Sequence, residues 1–240
     1  MCFTISFENN ATKAVKEHLK SYPELEMRGE FNQVYYLVSG FSHPKLPIFK
    51  SDSIEISEWG LIPPFASNVE RAEEIANMTL NARSDTIHQK PSFKNSITTN
   101  RCVLPLDGFY EWQHKGKIKQ PYYIYPTYET VFYIGCIFNT WVNKQTGELR
   151  DTFSIITTDA NSLMTTIHNT KTRMPLIIPK SSIEAWTDPE TSMPLVSQMM
   201  KPYNNELMTA HKISTDAGNS RINRNIPEIK NRVDVIDTLF

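Results

Sequence analysis

The chain begins with a short alternating segment, "FTISF", in which Phe3, Ile5 and Phe7 are apolar and Thr4 and Ser6 are polar. Successive side chains of a strand point to opposite faces, so a period of two predicts a half-buried strand that starts at Cys2. "ATKAVKEHLK" (11–20) and "VERAEEIANM" (69–78) space their apolar residues three and four apart and predict amphipathic helices. Elsewhere strand signals dominate. "QVYYLVS", "SIEISEWG", "RCVLPL", "PYYIYP", "ETVFYIGCIF" and "DTFSIITT" are β-branched or aromatic runs separated by turn residues. "EWQHKGKIKQPYYIY" reads as a hairpin whose turn carries Lys115, Lys117 and Lys119. Further helices are expected in "ANSLMTTIH" and "SSIEAWTD", and short strands in "PLIIP" and "MTAHKIS".

Strands adjacent in sequence and joined by short turns, with few crossover helices, favour an antiparallel α+β arrangement over a doubly wound sheet. No linker, repeat or low-complexity segment interrupts the pattern. The expectation is one α+β domain over residues 1–240, mainly an antiparallel, curled, barrel-like sheet with helices on its rim.

An apolar fraction of 40% over 240 residues is enough for a sizeable core. The formal net charge of −1 excludes nucleic-acid binding by bulk electrostatics and leaves room only for a local basic patch. The 3 cysteines are too few and too separated for a disulfide framework or a paired-cysteine metal site. Cys102 and Cys136 lie in apolar runs and are expected to be inert core residues. No ligand cluster is present, so neither a metal nor a cofactor is expected. The start of the chain lacks a signal-peptide pattern and no run approaches a membrane span, so a cytoplasmic protein is expected.

Cys2 follows the initiator, and a residue this small is expected to permit removal of Met1. Removal leaves a 1,2-aminothiol. An α-amine titrates near 7.7–8.0, so about a tenth of it is neutral at pH 7, against well under about 1% of a lysine amine. Such an amine adds to an aldehyde, and the adjacent thiol closes a thiazolidine ring with the advantage of a tethered reactant.

Polar residues interrupt otherwise apolar strands or turns in four further segments. In "NARSD", Asn81 and Arg83 point the same way if the segment is extended, which suits a phosphate or sugar oxygen, although on this segment alone a structural ion pair or turn is the default. In "DGFYEW", Glu111 lies between Tyr110 and Trp112; burial there raises its pKa toward neutrality, whereas an outward-facing position leaves it an ordinary carboxylate. In "IHNTKTRMP", His168 is a candidate acid or base, or a helix cap, ahead of Lys171 and Arg173. "EWGLIPPF" makes a stiff apolar turn of Trp59, Pro63, Pro64 and Phe65, either a platform for nucleobases or a packed core turn.

The ordered set of Cys2, "NAR", "DGFYEW" and "TT.AN…H…RMP", running from Cys2 to about Pro179, closely resembles the SOS-response-associated peptidase (SRAP) family, whose members cross-link to abasic sites in single-stranded DNA. The resemblance implies that Cys2 is the catalytic cysteine, that Asn81 helps to orient it and the opened sugar, and that Arg83 binds a DNA phosphate. It implies that Glu111 is the glutamate beside the cysteine amine and that His168 assists ring opening and Schiff-base chemistry. Phe3 and Thr4 stand where family members commonly carry Gly-Arg, and the His168-to-Arg173 spacing exceeds the common His-x-Arg-x-Pro form.

The implied function is a sensor of abasic sites in single-stranded DNA that forms a thiazolidine cross-link through Cys2 and shields the lesion. Trp59, Pro63, Pro64 and Phe65 are expected to interrupt base stacking, and Arg83, Arg101, Lys171, Arg173, Arg221 and Arg224 to hold phosphates. A monomer that engages neither membrane nor metal is expected. A strand-cutting lyase is a side branch of the same chemistry. The alternatives are a thiol autopeptidase using Cys2 and His168 and a non-covalent single-strand binder.

Overall fold

The computed structural model describes residues 2–233. In chain order it contains β1 (Thr4–Phe7), α1 (Asn9–Ser21), β2 (Glu26–Arg28), β3 (Tyr35–Ser39), β4 (Lys45–Phe49), β5 (Ser53–Trp59), α2 (Val69–Met78), β6 (Asn81–Arg83) and α3 (Ser96–Thr99). There follow β7 (Arg101–Leu106), β8 (Gly108–Lys115), β9 (Ile118–Pro126), β10 (Phe132–Val142), β11 (Leu149–Asp159), α4 (Ser162–Ile167), β12 (Arg173–Pro175), α5 (Ile183–Thr187), α6 (Met193–Met199) and β13 (Met208–Lys212). One sheet runs β13-β9-β8-β1-β3 and the other β12-β11-β10-β7-β4-β5-β2, with β6 paired to β11. Most pairings are antiparallel, and β5 and β6 add to β11 in parallel. The α+β class expected from the sequence is the one found.

β1 differs from its expectation. All four of its residues are buried, because it lies between β3 and β8 with both faces covered. Ile5 and Phe7 enter the main apolar core. The opposite face is polar yet enclosed: Ser6 Oγ lies 3.0 Å from the Tyr123 hydroxyl, and Tyr110 and Tyr123 pack with Ile213, Ala217 and Ile229 from the end of the chain. Alternation reported two chemically different faces, but not that both are covered.

Asp107 anchors the start of the helix after β1. Helix α1 has no side-chain cap at Glu8. The Asp107 carboxylate instead accepts the backbone N–H groups of Glu8, Asn10 and Ala11 at 2.6, 3.2 and 3.1 Å, which satisfies the unpaired first turn from across the fold. Gly108 comes next, where an added Cβ would meet Ile124 O at 2.5 Å and the Tyr123 hydroxyl at 2.6 Å. Only glycine lets β8 pass this close to β9 and so hold Glu111 in register.

Several elements shifted or escaped notice. "PLIIP" is not itself a strand: β12 covers Arg173–Pro175, and Ile177 forms an isolated bridge to Ile134. β4, "KLPIF", carries a proline that masks its strand character, and α6 is too short to develop a clear helical period. Cys102 and Cys136 are buried opposite each other on β7 and β10, as core residues.

Candidate active site

Cys2 sits at the head of β1, fully buried. Its carbonyl accepts a hydrogen bond from Asn81 Nδ2 at 2.9 Å. β6 brings Asn81 there by pairing in parallel with β11 at Ile155. The other amide atom of Asn81, Oδ1, is buried without a partner among the described residues. An acceptor left unmatched inside a protein costs about 1–3 kcal/mol, so this oxygen is suited to accept from a water or a ligand group. Burial, followed by the charge of Glu111, pushes the Cys2 thiol above its ordinary range. It is held as a thiol rather than a thiolate.

Glu111 is 4% exposed on β8. Burial raises its carboxyl to about 7, which makes it an acid that is half protonated at neutral pH. His168, 6% exposed, ends α4 and places Nε2 3.8 Å from Glu111 Oε2. Its Nδ1 lies 2.8 Å from the Arg173 carbonyl. A carbonyl only accepts, so Nδ1 carries the proton, and Nε2 of the neutral ring faces Glu111 as a base. Burial also lowers the His168 pKa, favouring that neutral ring. The pair thus sets a neutral imidazole nitrogen, a base, beside a carboxyl that can act as an acid.

A cleft of about 780 Å³ opens over these groups, lined by Phe3, Glu111, Trp112, His114, Lys119 and His168, with Thr170, Lys171, Thr215, Gly218, Asn219 and Arg224 across it. Among the charged side chains of that lining Glu111 is the one acid, set against Lys119, Lys171 and Arg224. Phe3 contributes an aromatic edge, packed 5.0 Å from Phe41, which is 58% exposed.

The binding residues expected from the sequence divide sharply. Lys171 and Arg224 line the cleft. Arg83 is exposed but paired with Asp85 through two hydrogen bonds of 3.0 and 2.5 Å, and Arg221 is exposed outside the cleft lining. Arg101 is corrected: it is fully buried, and its guanidinium donates to the carbonyls of Trp186 at 2.8 Å and Ile97 at 2.9 Å, and also to those of Thr98 and Asp188. It ties α3 and α5 to β7 and has no route to a phosphate. Arg173 is corrected likewise, being 7% exposed and held by Thr157 at 2.5 Å and by Asp159 at 3.4 Å.

Trp59 is corrected too. It is wholly buried, its Nε1 donates to Leu80 O at 2.7 Å, and an added Cβ at Gly40 would lie 3.1 Å from its ring. Instead of meeting a base, it supports from below the turn that presents Phe41. Pro63 is buried as well, while Pro64 and the 54% exposed Phe65 lie outside the cleft lining. Sequence reasoning missed His114 and Lys119 as cleft residues. The lysine-rich hairpin was visible, but its course along the cleft depends on β8 carrying Glu111 at its base.

No group of three or more His, Cys, Asp or Glu that would hold a metal occurs among the described residues. No helix among them is long and apolar enough to cross a membrane.

Comparison with known proteins adds a lineage to this geometry. The chain is 31% identical over 214 residues to the Abasic site processing protein YoqW of Bacillus subtilis (strain 168), covering 83% of this chain and 91% of that protein. It is 32% identical over 190 residues to the Abasic site processing protein HMCES of Xenopus tropicalis, covering 71% of this chain and 54% of that protein. A crystal structure of a protein from Bacteroides thetaiotaomicron superposes with a TM-score of 0.85 at 39% identity, covering 97% of this chain and 100% of that one. Residues 1–220 match the profile of the SOS response associated peptidase (SRAP) family, and with the relatives above this places the chain in that family.

Proposed function

We propose that this protein processes abasic sites in single-stranded DNA, and that once Met1 is removed Cys2 joins itself covalently to the lesion. Met1 lies outside the described residues, so its removal is part of the proposal. The observation that carries the reading is the meeting of Cys2, Asn81, Glu111 and His168, the last two of which line a cleft with cationic walls. The names of the relatives, which are abasic site processing proteins, support the same substrate.

An abasic deoxyribose is a cyclic hemiacetal in equilibrium with an open aldehyde. Opening it requires a base to take the proton of the C1′ hydroxyl and an acid to protonate the ring oxygen. His168 Nε2 and protonated Glu111 supply those two roles. The Cys2 amine then adds to C1′, water leaves, and an imine results. The Cys2 sulfur adds to the imine carbon while its proton passes to the nitrogen, closing the thiazolidine. Bonds and protons balance without an oxidant or cofactor. Asn81 Oδ1 serves as acceptor for the amine or for a sugar hydroxyl.

The raised thiol pKa favours this sequence over a peptidase mechanism, which needs a thiolate at the first step. The amine acts first here, and the thiol enters as a neutral nucleophile made effective by its tether. Lys119, Lys171 and Arg224 hold phosphates, and the Phe3–Phe41 edge offers a face for a flanking base, a contact tolerant of any sequence.

Intact-mass analysis after incubation with a single-stranded oligonucleotide bearing one abasic site tests the proposal. A heat-stable adduct, formed by the protein lacking Met1 and absent from Cys2→Ala, is expected. Retention of the DNA by Cys2→Ala as strongly as by the wild type, with no adduct from either, would make the protein a non-covalent binder.

A further inference from the structure

The turn that carries His168 is docked on β8 by side chains that neither bind nor react. Gln113 Nε2 donates to the Thr166 carbonyl at 2.9 Å. Asn169 accepts the His114 N–H through Oδ1 at 3.0 Å and donates to the His114 carbonyl through Nδ2 at 2.8 Å. One side chain thus makes both bonds that a neighbouring strand would make. β8 has use for such a substitute, because the pairing of β1 with it ends at Phe109 and an unpaired strand edge leaves N–H and C=O groups to be satisfied. The amide can face His114 only one way round, since an N–H requires the oxygen and a carbonyl the nitrogen.

The rest of the turn is closed on itself. His168 O accepts from Lys171 N–H at 3.2 Å and Thr172 N–H at 2.9 Å, Thr172 adopts φ 47, and His168 Nδ1 is held by the Arg173 carbonyl. Its other anchors lie on the β11 side, through Thr172 to Ala160 and the pairing of Arg173 with Asp159. Those bonds fix the shape of the turn. The Asn169 bonds fix where that shape stands against the strand bearing Glu111.

We infer that Asn169 is a positioning residue: by clamping the His168 turn to the edge of β8 at His114, it sets the separation between His168 Nε2 and Glu111 Oε2, the base and the acid of ring opening. The inference rests on the acid–base reading given above. Among the described residues, the titratable and charged groups that face His168 are Glu111 and His114 from β8 and Lys171 from its own turn, with Lys119 and Arg224 farther out across the cleft; the amino terminus acts on it as well.

Two readouts test it, one of which needs no DNA. In the full chain, the His168 imidazole is titrated by NMR in the wild type, Asn169→Ala and Asn169→Asp. Cross-linking rates are measured at saturating abasic oligonucleotide, and affinity with an unreactive tetrahydrofuran analogue of the lesion. Asn169→Ala is expected to move the His168 midpoint upward as the ring leaves its buried place, and to slow cross-linking about 10- to 100-fold, the effect of a displacement near 1 Å. Affinity for the analogue should stay within about twofold, a change of about 0.4 kcal/mol. Asn169→Asp, which keeps the acceptor for the His114 N–H, should recover part of the rate. An unmoved His168 midpoint in Asn169→Ala overturns the inference, whether the rate holds or falls together with affinity. A moved midpoint in a protein whose wild type forms no adduct leaves the clamp standing and removes the cross-linking reading alone.

Discussion

The two ends of the cleft are built on opposite principles. At the closed end Glu111 and His168, with Cys2 next to them outside the lining, are buried, and burial pushes thiol and carboxyl up and imidazole down. At the open end Lys119 and Lys171 stand at the surface, and the half-buried Arg224 is held by one bond of 3.1 Å to Ala217 O. Desolvation tunes proton affinity, so groups that move protons belong in the first setting. Solvated charges recruit a polyanion cheaply and exchangeably, so phosphate contacts belong in the second. The formal charge of the whole chain, −1, conceals this division, because the rim is a local patch.

Short of removing Cys2 itself, the largest effect expected at the closed end is that of Glu111→Gln. Its loss should slow cross-linking by about 10²–10⁴, the usual contribution of a positioned acid or base, with affinity for an unreactive lesion analogue unchanged. In the wild type, the rate component that depends on protonated Glu111 should decline as pH rises through about 7, and a pH–rate profile of Glu111→Gln should lack that limb. The same shift affects stability. A carboxyl whose folded pKa is raised favours the folded state most below its unfolded value of 4.5, and that advantage is lost as pH rises to about 7. Thermal unfolding should therefore show Glu111→Gln more stable than the wild type at pH 8, by up to about 3 kcal/mol, and equal to it near pH 4.

Arg101 separates structural from functional cations. Arg101→Met removes a donor to four carbonyls, two of them in buried bonds, and should destabilise the fold by about 3 kcal/mol or more, measured by denaturant unfolding. Its salt dependence of DNA binding should match the wild type. A smaller effect in the opposite sense is expected at the open end. Lys119→Gln, Lys171→Gln and Arg224→Gln should each leave stability unchanged and lower the slope of log affinity against log salt by about 0.7, the value for one phosphate of single-stranded DNA that is no longer neutralised.

These contrasts also explain how much of the molecule was legible in its sequence. Cys2 stood out by its place after the initiator, Asn81, Glu111 and His168 as polar residues where a strand or turn would otherwise be apolar, and the structure brings the four together. Arg101 and Trp59 look no different in sequence from surface-binding residues. Their fate is decided by distant segments, the carbonyls of 97–98 and 186–188 for the arginine and those near Leu80 for the tryptophan. Lys119 was visible as part of a basic turn, but its place over the site is set by the β8–β9 register, in which His114 pairs with Lys119. Local pattern reports which face of an element is apolar; it does not report what the rest of the chain lays over that face.

The central claim is that amine and thiol of Cys2 act together. The most direct test compares adduct formation on an abasic oligonucleotide by two forms of the same protein, one lacking Met1 and one retaining it, by intact mass. The proposed chemistry predicts a heat-stable adduct from the first form alone. Equal adduct from the form whose Cys2 amine is acylated would contradict it.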